Sequence, residues 1–134
     1  MPEVREEAQD EFELVPGVDP TQYRAFFLQR GRRGPGLFID FRSVDERSGA
    51  IKGTMLSYPM LSAIDYVDDH TILLDFGMRH VRIEGERLGE LIARLHAGSI
   101  TVVQAYSPKI WGIKEPLGTP IVRNIAHIGL GHAN

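Results

Sequence analysis

The feature that most constrains the fold of this chain is the stretch from Leu61 to Tyr106, which the sequence divides into three strands, a helix and a fourth strand. Within it, Ile72 and Leu74 point one way, and Val81 and Ile83 alternate with polar neighbours. A period of two with one polar face predicts half-buried strands, and one wet face favours antiparallel pairing. The segment therefore predicts a sheet covered on one side only.

The helix in this stretch is the clearest predicted element, over about residues 86–97. Four apolar residues recur at the three- and four-residue spacing of one helix face. Gly98 is well placed to end the helix. A glycine inside a helix costs about 1 kcal/mol relative to alanine, so Gly89 predicts close packing against another backbone. The apolar stripe consists of Leu88, Leu91, Ile92 and Leu95.

The remaining strands follow the same alternation. We expect strands at residues 37–42, 50–57, 100–103 and 121–128, while residues 21–30 fit a short helix and a strand equally well. The link from Ile83 to Ile100 is long enough for a right-handed crossover, which would make those two strands parallel neighbours.

These elements predict an α+β fold with a mostly antiparallel bent sheet or small β-barrel and one principal amphipathic helix. The 134 residues suit one domain. We assign an acidic mobile arm to residues 1–17, a single α+β domain to residues 18–128 and a frayed tail to residues 129–134. The arm is distinguished by its charge, since residues 1–13 hold six acids against one arginine.

Composition excludes several classes of protein. The chain has no cysteine, which excludes disulfides, thiolate catalysis and the common structural zinc sites. No apolar run approaches the roughly 18 residues of a membrane span. We therefore expect a cytoplasmic protein with no membrane partner and no cofactor.

Trp111 is the strongest functional lead. It lies in residues 107–120, a stretch with three prolines and two glycines, and Tyr106 and Lys109 are nearby. Tryptophan in a loop can anchor an interface because it buries a large area with few torsions. The main hypothesis is a non-catalytic binding or assembly module that recognises a protein partner or itself, as a homo-oligomer, through this loop. The alternative is that Trp111 folds back to cap the core.

A cluster of arginines supports a second hypothesis. Arg30, Arg32 and Arg33 lie in a glycine-rich stretch, with Arg24 upstream. Guanidinium groups suit phosphate because they donate paired hydrogen bonds, so this loop could bind nucleic acid or another polyanion. An acidic protein partner and a solvated loop without function are the alternatives.

Catalytic and metal-binding signatures are weak. Asp65, Asp68 and Asp69, with His70, could offer ligands to a divalent cation, but turn chemistry explains them and we predict no metal site. Asp75 and His80 form an acid/base pair only if the fold brings them together. A small enzyme whose site is not visible in the sequence is the third hypothesis, and no catalytic residue is predicted.

Overall fold

The computed structural model describes residues 18–30 and 37–129, which form eight strands and two short helices around a core. In chain order these are β1 (Phe26–Leu28), β2 (Phe38–Val44), β3 (Ile51–Ser57), a 3₁₀ turn (Tyr58–Met60), β4 (Ala63–Val67), β5 (Thr71–Asp75), β6 (Arg79–Glu86), α1 (Gly89–His96), β7 (Ile100–Gln104), α2 (Pro108–Trp111) and β8 (Ile121–Gly129).

The strands form two four-stranded sheets that do not close into a barrel. Sheet A has the spatial order β1-β7-β2-β3, and sheet B has the order β4-β5-β6-β8. The predicted α+β class is confirmed, whereas the small barrel considered from the sequence is wrong. The acidic arm predicted for residues 1–17 lies outside the described residues, as does the predicted tail apart from Gly129, which ends β8.

Sheet B is antiparallel: β4, β5 and β6 form a meander, and β8 pairs with β6. Its inner face carries Ile72, Leu74, Val81 and Ile83, all fully buried. The pairing of β6 with β8 shifts register between Glu84 and Gly85, which is a β-bulge. The alternation of apolar and polar residues thus determined this sheet's inner and outer faces.

Sheet A departs from the sequence prediction in its pairing. β2 and β3 form the expected antiparallel hairpin, but β7 inserts between β1 and β2. It is antiparallel to β1 and parallel to β2, with Val102 opposite Asp40. The predicted parallel pairing of the strands at Ile83 and Ile100 is wrong because β6 already has β5 and β8 on its two sides.

The segment that the sequence left undecided contains a strand. A turn comes first, in which the Gln22 amide donates to the Asp19 carbonyl at 3.1 Å, and β1 then pairs with β7. Asp19 also accepts from the Thr21 amide at 2.9 Å, and the Thr21 hydrogen bonds lower the pKa of the Asp19 carboxyl. Asp19 thus caps a turn.

Helix α1 is shorter than predicted at its start. Glu86 still belongs to β6, and Arg87 has a φ of 57°, so the helix begins at Gly89. It ends as predicted, because Gly98 has a φ of 75° and the next amide, that of Ser99, bonds back to the helix. A Cβ on Gly89 would meet nothing within 4 Å, so the prediction of close packing there is wrong.

One apolar core joins both sheets and the helix. Phe41 of β2 lies near its centre, with its ring 6.0 Å from that of Phe76 in an edge-to-face arrangement. Leu88, Leu91 and Leu95 bring the helix onto the same cluster. Among the described residues, no helix has both the length and the apolar character needed to cross a membrane.

Candidate functional site

The loop between β7 and β8, residues 107–120, contains the short helix α2. Ser107 precedes this helix, and its hydroxyl accepts a hydrogen bond from the Lys109 amide at 3.1 Å, as an N-cap does. Pro108 occupies the first turn, and Gly112, with a φ of 91°, ends it. This single turn of helix carries Lys109 and Trp111 on an otherwise irregular loop.

Three aromatic side chains hold the loop to the body of the protein. The ring of Trp111 lies 4.9 Å from that of Tyr23, edge to face, and 5.9 Å from that of Tyr106, stacked. The Trp111 indole also donates to the Asp19 carbonyl at 2.8 Å. Trp111, Tyr23 and Tyr106 are called the aromatic cluster below. Trp111 is half-buried in this cluster, and its contacts are those expected of a side chain that folds back on its own domain.

Tyr23 connects the aromatic cluster to the ends of two strands. Its hydroxyl donates to the Gln104 carbonyl at 2.7 Å and accepts from the Val122 amide at 3.0 Å. Burial raises the pKa of Tyr23 well above its ordinary value, so the hydroxyl keeps its proton and its donor role. The Tyr106 hydroxyl donates to the Gly112 carbonyl, which closes the first half of the loop.

Two arginines hold the second half of the loop. Arg123 of β8 forms a two-point pair with Glu115, with nitrogen–oxygen distances of 2.7 and 2.8 Å, and also reaches Glu86 at 3.1 Å. Hydrogen bonding from Arg123 lowers the pKa of the Glu115 carboxyl. Arg87 donates to the Thr119 carbonyl at 2.8 Å. The loop is therefore held at both ends by satisfied polar groups.

Two apolar side chains of this loop face solvent. Ile113 is 91% exposed and Leu117 is 88% exposed, the two highest values among the large exposed apolar residues described. Next to Ile113 lies a cavity of about 230 Å³, which Tyr106, Glu115 and Arg123 also line. Ile113, Leu117 and this cavity are called the loop surface below. Nothing within the described residues covers these two side chains.

The structure separates the two groups of residues predicted to bind. Tyr106, Lys109 and Trp111 belong to the anchored loop, and the Lys109 Cδ would lie 3.8 Å from a Cβ at Gly49 in the β2–β3 turn. In the other group, Arg30 follows β1 in the chain, and Arg24 and Arg30 line one cleft beside that strand. Arg32 and Arg33 lie outside the described residues, and polyanion binding through these arginines stays a prediction.

The fold brings Asp75 and His80 together. They are directly opposite on β5 and β6, with 3.3 Å between the His80 Nε2 and the Asp75 Oδ1. The Asp75 Oδ1 also accepts from the Gly77 amide at 2.8 Å. Both side chains lie on the outer face of sheet B, partly exposed, as in an ordinary cross-strand pair. The sequence predicts no catalytic residue, and the small enzyme stays the third hypothesis.

The acidic hairpin connects β4 to β5. His70 pairs with Asp69 at 3.2 Å, and Asp68 adopts a φ of 49°. Within residues 18–30 and 37–129, no three histidine, aspartate or glutamate side chains are grouped so that they could hold a metal ion.

Sequence reasoning missed several residues of the site. Tyr23, Glu115 and Arg123 come from three separate parts of the chain and carry no motif. The proximity of Asp75 and His80 did have a signal, since both lie near the Gly77 turn of a predicted hairpin.

Comparison with protein-family models, with curated proteins and with solved structures found no match to this chain.

Proposed function

We propose that the protein is a non-catalytic binding module that recognises a protein surface, in a partner or in a second copy of itself, through the loop surface. The observation that carries this proposal is the exposure of Ile113 and Leu117 on a loop held by the aromatic cluster and by Arg123. Contact between branched aliphatic side chains and water is unfavourable, so covering these side chains with a partner lowers the free energy of the complex.

The anchoring of the loop supports this function energetically. A loop that must become ordered on binding loses conformational entropy, about 1–2 kcal/mol for each backbone residue fixed. Here the hydrogen bonds of Trp111, Tyr106 and Arg123 already hold the loop. The entropy loss on binding is therefore reduced, which is the advantage of a preorganised binding surface.

In this proposal Trp111 acts mainly as the anchor of the loop, and Ile113 and Leu117 make the contacts. Trp111→Ala should lower the free energy of unfolding by about 2 kcal/mol, because it removes two aromatic contacts and a hydrogen bond. It should also weaken binding. A double variant, Ile113→Ser/Leu117→Ser, should weaken binding while leaving the free energy of unfolding within about 0.5 kcal/mol of wild type.

The test measures two quantities for the wild type and the double variant: mass in solution across a concentration series, and recovery of a stoichiometric protein on mild purification from the native host. The expected result is that the wild type self-associates or retains a partner, and that the double variant does neither. Met78→Ser is the matched control, because Met78 is 77% exposed in another turn. Wild-type protein that stays monomeric and partner-free, or a double variant that behaves as wild type, would overturn the proposal.

A further inference from the structure

The open edge of β1 is a second candidate binding region, because backbone N–H and C=O groups there have no strand partner among the described residues. β1 is the outermost strand of sheet A and has β7 on one side only. The Ala25 carbonyl accepts from the Gln104 amide at 2.9 Å, and the Gln29 amide donates to the Ser99 carbonyl at 2.7 Å. Residues 25, 27 and 29 therefore turn toward β7, and alternation turns the backbone groups of Phe26 and Leu28 outward.

The register along β1 supports this assignment. Phe27 is opposite Val102, and Leu28 is opposite Ile100, so the extra residue of the bulge, Thr101, belongs to β7. The alternation along β1 is thus uninterrupted. The Thr101 hydroxyl also reaches the Phe27 carbonyl at 3.3 Å, as expected if that carbonyl faces β7.

Two arginines flank β1. The charge of Arg24 contributes, after the Thr21 hydrogen bonds, to the lowered pKa of the Asp19 carboxyl. Arg24 and Arg30 are exposed, and neither forms an ion pair with a described residue. The Arg24 guanidinium lies 5.9 Å from the centre of the Phe27 ring. Five other described arginines form ion pairs (Arg42, Arg82, Arg87, Arg94 and Arg123), and Arg47 and Arg79 form none with a described residue. Arg24 and Arg30 come directly before and after the segment 25–29 that holds β1, so both charges lie close to the strand.

A cleft of about 690 Å³ lies beside β1, over its pairing with β7 and next to helix α1. It is lined by the three residues of β1, by Thr101 and Val102 of β7, and by Arg24 and Arg30. Its one described acid, Glu90, is paired with Arg94 at 3.5 Å. The cleft therefore combines apolar side chains, a strand that is paired on one side only, and two positive charges.

We propose that this edge binds an acidic, extended segment of a partner protein as an added strand. The partner's backbone would bond to the outward groups of Phe26 and Leu28, and its carboxylates would pair with Arg24 and Arg30. Strand addition satisfies an open sheet edge through main-chain hydrogen bonds. A nucleic acid would use the arginines and rings but leave those backbone groups unmatched. This site is separate from the loop surface, so either proposal can fail alone.

The first test is a titration with a fluorescent heptapeptide that alternates glutamate with valine. The full chain is used, together with a full chain in which the six acids of residues 1–13 become amides, so that competition by these acids cannot hide binding. Saturable binding to either form is expected, and a peptide with glutamine in place of glutamate should bind at least about tenfold more weakly. Absence of saturable binding to both forms would overturn the proposal.

Matched variants test the role of the arginines. Arg24→Gln/Arg30→Gln should weaken peptide binding at least about tenfold. Arg47→Gln/Arg79→Gln makes the same change of charge at two exposed arginines elsewhere and should stay within about twofold of wild type. Equal binding by both double variants would overturn the proposal. Tighter binding of single-stranded oligothymidylate with the same arginine dependence would also overturn it, in favour of a nucleic-acid site.

Amide hydrogen exchange tests strand addition directly. On peptide binding, exchange of the Phe26 and Leu28 amides should slow at least about tenfold, because their outward N–H groups gain partners. The Phe27 amide already faces β7 and should change much less. Peptide binding with no added protection at Phe26 and Leu28 would overturn the strand-addition geometry.

Discussion

The loop surface and the β1 edge differ in how their polar groups are satisfied. In the loop, Trp111 and Arg123 have partners within the chain, and the exposed side chains are apolar. At the edge, Arg24 and Arg30 form no ion pair with a described residue, and backbone groups face outward. A surface of the first kind favours apolar contacts that tolerate salt, whereas one of the second kind favours charged contacts that salt screens.

The two regions also differ in how closely the backbone is packed. On the loop side, the chain returns into β8 at Ile121, where the backbones of β6 and β8 approach closely at Gly85. On the edge side, helix α1 begins at Gly89 with open space around it, and the next residue, Glu90, lines the cleft. The backbone at the base of the loop is thus tightly packed, whereas the start of helix α1 beside the cleft has space for an added side chain.

The largest expected effect comes from replacing a glycine with alanine in each region, at Gly85 on the loop side and at Gly89 on the edge side. A Cβ at Gly85 would lie 2.0 Å from the Ile121 carbonyl oxygen, so Gly85→Ala should cost about 3 kcal/mol or more, or prevent folding. Gly89→Ala should instead stabilise the protein by up to about 1 kcal/mol, since alanine favours a helix. Urea unfolding of both variants measures the contrast, and similar effects at the two positions would contradict it.

A smaller effect is expected at Tyr23. Tyr23→Phe keeps the ring but removes the hydroxyl that bonds the Gln104 carbonyl and the Val122 amide. Leaving these groups without partners should lower the free energy of unfolding by about 1–3 kcal/mol. Tyr66→Phe is the control, since Tyr66 is 61% exposed, and it should change stability by less than about 0.5 kcal/mol. Equal losses in the two variants would show that the Tyr23 hydroxyl does not hold the loop.

The smallest effect concerns the ion pair between Glu115 and Arg123. Because folding lowers the pKa of Glu115, the pair contributes fully above the carboxyl's ordinary pKa of 4.5, and its contribution is lost as pH falls through the lower folded value. The melting temperature of Glu115→Gln should therefore lie below that of wild type at neutral pH, and the gap should close as the pH falls below 4.5. A gap that stays constant over this range would contradict the assignment. Arg123→Gln should reduce the same pH dependence.

Sheet B shows what local patterning can predict. Its first three strands are consecutive hairpins, so the alternation around Ile72 and Val81 was enough to assign both faces and the neighbours. Pairing of this kind joins residues close in the chain. Helix α1 was predicted for the same reason, although its start required knowing that Arg87 turns the chain.

Sheet A and the loop show where such reasoning ends. Nothing in the residues around Val102 indicates that β7 lies between β1 and β2, because this choice depends on which edges remain open after the other strands pair. Likewise, Tyr23 contacts Val122 across 99 positions of sequence. Trp111 could be identified as unusual, but its partners could not.

Local periodicity and composition were enough to predict the α+β class, most of the strand and helix positions within residues 61–106, and the Trp111 loop as an unusual segment. The two-sheet topology, the contact of Trp111 with Tyr23 and the outward face of β1 became visible only in the folded chain. Strand partners and side-chain contacts depend on competition among distant segments for the same core, and a short stretch of sequence carries no information about that competition.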